Sequence, residues 1–161
     1  MKFFLLGLLL FFTTGKSQEL NASRILGMAK HEFEDLDQIM VSEYGFERVP
    51  DMEETDQKVY TNNSSEPGTL MVATVIRNRT GCSNAVSIVD ASAARMARLR
   101  NDLPALGFAY AGRRKMPDSS ITVSLFVKGN MTVSITDRVT GTGAYQVVLA
   151  CKRALNTYME E

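Results

Sequence analysis

The chain has 161 residues, no tryptophan and 18 basic against 18 acidic side chains. That is room for one domain, and a balanced charge excludes general attraction to nucleic acid or anionic lipid. With one histidine, His31, a histidine-built metal site is short of ligands.

Met1 to Ser17 reads as a cleavable export signal. Lys2 precedes an apolar run from Phe3 to Phe12, and Gly15 and Ser17 supply the small-x-small pattern of a cleavage site. The run is about half the length of a membrane-spanning helix, so no transmembrane anchor is expected after cleavage. The remaining residues, 18–161, carry 16 basic and 18 acidic groups and are expected to form a single α+β domain. Charge is uneven along it: residues 18–80 hold 12 acids and 6 bases, residues 81–161 hold 6 acids and 10 bases.

Two segments 62 residues apart follow one plan. Ile25, Met28, Ala29, Phe33, Leu36, Ile39 and Met40 recur at helical spacing, and Gly45-Phe46 marks the exit. Met96, Leu99, Leu103 and Leu106 recur likewise before Gly107-Phe108, with Pro104 expected to kink or shorten the last turn. A glycine there suits the left-handed residue that ends a helix. Strands are predicted at 46–49, 58–61, 70–77 and 85–90 after the first helix, and at 108–112, 121–128, 131–137 and 145–151 after the second. Gly129-Asn130 reads as a two-residue hairpin turn. The expected fold is a tandem duplication, about 20–90 and 91–152, of a helix with three or four antiparallel strands. The two units share one broad sheet with helices packed on one face, and a short helical tail follows from Lys152.

In an exported chain the only two cysteines, Cys82 and Cys151, are expected to pair. Cys82 opens the last strand of the first unit and Cys151 closes the last strand of the second. Antiparallel pairing of those strands would bring them together.

No nucleophile–base set is present. His31 falls off the apolar stripe and is expected on the surface. The acidic stretch Asp51, Glu53, Glu54 and Asp56 lacks the register of a calcium loop, and no metal or cofactor is expected. The equivalent place in the second unit holds Arg113, Arg114 and Lys115, so opposite-charge loops offer a head-to-tail route to oligomers. Arg95 and Arg98 share a helix face and, with Arg113 and Arg114, are candidates for an acidic partner. In the predicted strand 121–128, Thr122, Ser124 and Phe126 are assigned to an open, hydroxyl-rich face and are the candidate binding residues. Sequons occur at Asn21, Asn62, Asn63, Asn78 and Asn130.

The signal with its Ser-Gln junction, together with the helix-Gly-Phe-strands unit, resembles small uncharacterised exported proteins of bacteroidete-type bacteria. The tandem plan is also similar in architecture to secreted inhibitors that bind an enzyme on a sheet. These resemblances imply an envelope or extracellular location and carry no functional residues across. The expectation is an exported non-enzymatic module that binds a protein or envelope ligand. Its rivals are a small hydrolase using Asp90, Asp118 and Asp137 from strand ends, and a structural envelope component.

Overall fold

The computed structural model describes residues 19–78, 81–116 and 120–152. The export signal, Asp118 and the helical tail beyond Lys152 lie outside the described residues.

Helix α1 (Ala22–Lys30) starts at Asn21, whose side chain accepts the Arg24 N–H at 2.9 Å. It buries Ala22, Ile25, Leu26, Met28 and Ala29. The continuous helix expected from Ile25 to Met40 is corrected here, because α1 stops at Lys30. The cause lies far along the chain. Buried Asn84 donates from its side-chain amide to the carbonyls of Met28 and His31, both at 2.8 Å. In an unbroken helix those carbonyls would accept from residues 32 and 35; Asp35 N–H instead bonds the Glu32 carbonyl. The chain resumes as a 3₁₀ turn (Phe33–Asp35) and a π-wound turn (Gln38–Glu43). Phe33, Leu36, Ile39 and Met40 all remain buried, so the apolar stripe outlives the helix that was expected to carry it. Asn84→Ala should lower unfolding free energy by about 2 kcal/mol, since the buried Met28 carbonyl and the part-buried His31 carbonyl lose their donor; a denaturant midpoint measures it.

Helix α2 (Ala93–Ala105) is capped by Ser92 and carries Pro104 in its last turn without a break. Both helical segments exit through a left-handed glycine, Gly45 (φ 76) and Gly107 (φ 85). Phe108 N–H then bonds the Leu103 carbonyl at 3.1 Å, and Phe46 N–H bonds Met40 at 2.8 Å, one residue further back because of the π winding. Both phenylalanines enter the same core.

Eight strands follow: β1 (Glu47–Arg48), β2 (Gln57–Thr61), β3 (Met71–Arg77), β4 (Asn84–Asp90), β5 (Ala109–Lys115), β6 (Thr122–Lys128), β7 (Met131–Thr136) and β8 (Tyr145–Cys151). They form one antiparallel sheet ordered β1-β2-β3-β4-β8-β7-β6-β5. The protein is α+β, with a helical segment followed by four strands on each side of the β4–β8 seam. Arg113, Arg114 and Lys115 were expected in a connection; they lie in β5 instead. A bulge between Tyr110 and Gly112 (φ 102) lets that strand continue past the predicted end. β5 is an edge strand, and its three cations discourage pairing with another sheet.

At the seam, Cys82 and Cys151 form a disulfide with Cα atoms 5.6 Å apart across 69 residues of chain. Gly81 is pressed against it: an added Cβ would sit 2.9 Å from Cys151 Cβ. Among the described residues no helix is long and apolar enough to cross a membrane.

Candidate binding face

Alternation along each strand divides the sheet into two faces. Residues that pair across Tyr60, Ala73, Ile88, Val147 and Ile135, or across Val75, Val86, Leu149, Val133 and Phe126, join the helices in one buried cluster. The other face carries no helix among the described residues.

This assignment corrects the reading of β6. Phe126 pairs with Val133 and Ser124 with Ile135, so both point into the core, where Phe126 is 5% exposed. Ser124 is buried too, its hydroxyl donating to Asp137 at 2.5 Å. Thr122 belongs to the same set and is half-buried. The helix-free face of β6 is therefore Val123, Leu125 and Val127, opposite Thr132, Ser134 and Thr136 of β7.

Across the seam the same face presents Gln146, Val148 and Ala150 of β8, Ala85, Ser87 and Val89 of β4, and Val72, Thr74 and Ile76 of β3. No outward position of β2–β4 or β6–β8 holds an ionisable side chain. Ile76 is 42% and Val89 39% exposed, large apolar groups left in water. At one rim a cleft of about 450 Å³ is lined by Pro67, Gly68, Leu70, Val72, Val89, Ala91 and Thr142–Ala144. It is mostly apolar and within the size range of ligand sites. Sequence reasoning missed it because its walls come from the β2–β3 and β7–β8 connections, remote in the chain; Pro67-Gly68 and Gly141–Gly143 were the only hints.

Charge gathers on the helical side. Asp37 accepts from Tyr60 Oη at 2.7 Å, Lys58 Nζ at 3.1 Å and Arg48 at 2.9 Å, while Arg48 also forks onto Glu53 at 2.9 and 2.7 Å. Burial disfavours the Asp37 carboxylate, but the bonds from Tyr60 and Lys58 more than offset it and hold its pKa below the ordinary value. Arg48 holds Glu53 low as well. Burial, then Asp37, pushes the Tyr60 phenol up. Both acids have folded pKa values depressed below their unfolded ones. Their stabilisation is therefore present above the ordinary carboxylate range and lost as pH falls through the folded values. The melting temperature should drop below about pH 4, and Asp37→Asn should flatten that slope; thermal melts across pH read both.

The remaining candidates are engaged elsewhere. Arg95 forks onto Asp90 at 2.7 and 2.6 Å and reaches the Thr69 carbonyl. Arg98 pairs with Glu19 at 2.6 Å. Arg113, 3.1 Å from Asp137, and exposed Arg114 lie on edge strand β5, so the four arginines do not form one patch. Arg113, Ser120, Thr122, Asp137 and Arg138 line an open recess of about 390 Å³. Asp90 is 2% exposed and saturated by Arg95 and the Ser92 N–H. Asp137 is held by Ser124 and Arg113, in a different setting. His31 is exposed at the end of α1, as expected. In the acidic stretch Glu53 is taken by Arg48 and Asp56 by Arg77. No three His, Cys, Asp or Glu converge as a metal site among the described residues.

No protein-family model matches the chain, and neither the curated proteins nor the solved structures contain a match.

Proposed function

We propose that the chain is an exported, non-enzymatic binding module of the envelope or extracellular space, of the bacteroidete type, that holds its ligand against the helix-free face of the sheet. The observation that carries this reading is that face: strands wide enough for a partner, uncharged across β2–β4 and β6–β8, with valine and isoleucine left in water. The disulfide accords with an oxidising compartment, as does the signal-like N-terminus. In the same reading, the two helix-plus-four-strand halves descend from one duplicated unit, which explains why the seam joins their equivalent last strands.

An uncharged face gains affinity from apolar burial rather than from ion pairs, so binding should survive high salt. The test is capture from the exported fraction by immobilised chain, comparing wild type with Val148→Lys at low salt and about 0.5 M salt. Retention at both salts by wild type, with loss in the variant, is the expected result. Capture that Val148→Lys leaves intact places the ligand elsewhere and defeats the proposal.

A further inference from the structure

Given that binding-face reading, we infer that the occupant of the face is a second copy of this chain, packed sheet to sheet about a two-fold axis. Charge is the first argument. In a symmetric pair each patch meets itself, so any ionisable group near the axis faces its own like charge or is buried without a partner. The central strands of this face avoid that cost: among the described residues the outward positions on β2–β4 and β6–β8 are Val, Ile, Leu, Ala, Thr, Ser and Gln, and ionisable groups stand only at its two outer edges, Glu47 of β1 and Arg114 of β5. The helical side, by contrast, carries Arg, Lys, Asp and Glu among its ion pairs, and Arg113 and Lys115 of β5 point to that side.

Area is the second. Six strands spaced about 4.8 Å apart, each offering some five residues at about 3.3 Å, give a plan of roughly 500 Å² per copy, of which Val59, Val123 and Thr136 are already buried within the chain. Two such faces bury up to about 1,000 Å², the low end, where weak and transient interfaces lie. Two sheets stacked about 10 Å apart interdigitate Val, Thr and Ser rows as a β-sandwich core does. The hydroxyls of Ser87 and Ser134 already have partners within the chain, Gln146 and the Val148 carbonyl, so covering them orphans no polar group. The partner matches in polarity, and an area of this size belongs with weak, transient pairs rather than obligate dimers.

The test uses the exported, disulfide-bonded chain in sedimentation velocity over about 1 to 200 µM, a range set by that affinity class. A concentration-dependent doubling of mass, unchanged or strengthened between low salt and about 0.5 M, is expected. Val148→Lys, at the centre of the face, should weaken association at least tenfold. Gln146→Glu is near-isosteric and keeps the fold; it should weaken association at neutral pH and regain it as the carboxylate protonates. A single mass throughout, with ligand capture still abolished by Val148→Lys, overturns the second copy and leaves the binding face standing. A dimer that dissolves in salt, or that both variants leave intact, overturns it in favour of opposite-charge contacts between the 51–56 and 113–115 segments. A single mass together with capture that ignores Val148→Lys removes both readings.

Discussion

Cys82→Ser with Cys151→Ser is expected to lower stability by about 4 kcal/mol, the loop-closure entropy of a link across some 70 residues. The bridge joins the start of β4 to the end of β8, at one end of the seam that holds the two halves together. Opening it releases the unfolded chain, and the β4–β8 pairing must then organise the sheet from long-range contacts alone. Its surroundings are built for it, since Gly81 leaves room only because it has no side chain. Denaturant unfolding of wild type and variant, with and without reductant, measures the loss. Reductant should bring wild type to the variant's midpoint and leave the variant unmoved. A difference below about 1 kcal/mol would show that the bridge constrains little of the unfolded ensemble.

Phe126→Ala is expected to cost about 3 to 5 kcal/mol, the range for deleting a buried aromatic ring. The ring lies in the core beside Val133 and within 5.4 Å of the Tyr110 ring centroid, and removing it leaves a cavity under α2's half of the sheet. The same variant should hold its ligand normally under conditions where it remains folded, because the side chain is on the opposite side from the proposed surface. Paired measurements of denaturant midpoint and ligand capture separate the two roles. A stable Phe126→Ala protein with lost capture would return this residue to the binding face.

Much of the architecture was legible in the residues. Period-two alternation located the strands, the Gly-Phe exits located the helix ends, and the positions of Cys82 and Cys151 at the start and finish of two strands anticipated their bridge. The facing of β6 was legible too, yet was misassigned. A two-residue turn at Gly129-Asn130 makes Lys128 pair with Met131, which places Val133 and Ile135 opposite Phe126 and Ser124. Reading the alternation of β6 by itself, without that register, exchanged its two sets, Val123, Leu125 and Val127 for Thr122, Ser124 and Phe126, while β7 faces as expected. The candidate site suffered most, since Phe126, Ser124 and Arg95 prove to be core residues or ion-pair partners.

Local composition by itself determined where strands lie along the chain, which residues are apolar enough to be buried, and where the backbone must turn left-handed. Those properties depend on side chains within a few residues of one another. Tertiary structure decided the rest. Asn84, more than fifty residues away, ended α1 by taking the carbonyls that would have continued it. A bulge at Gly112 carried Arg113–Lys115 into an edge strand, and connections remote in sequence built the cleft beside Val89. In each case the deciding energy came from a hydrogen bond or contact between groups that only the folded chain brings together.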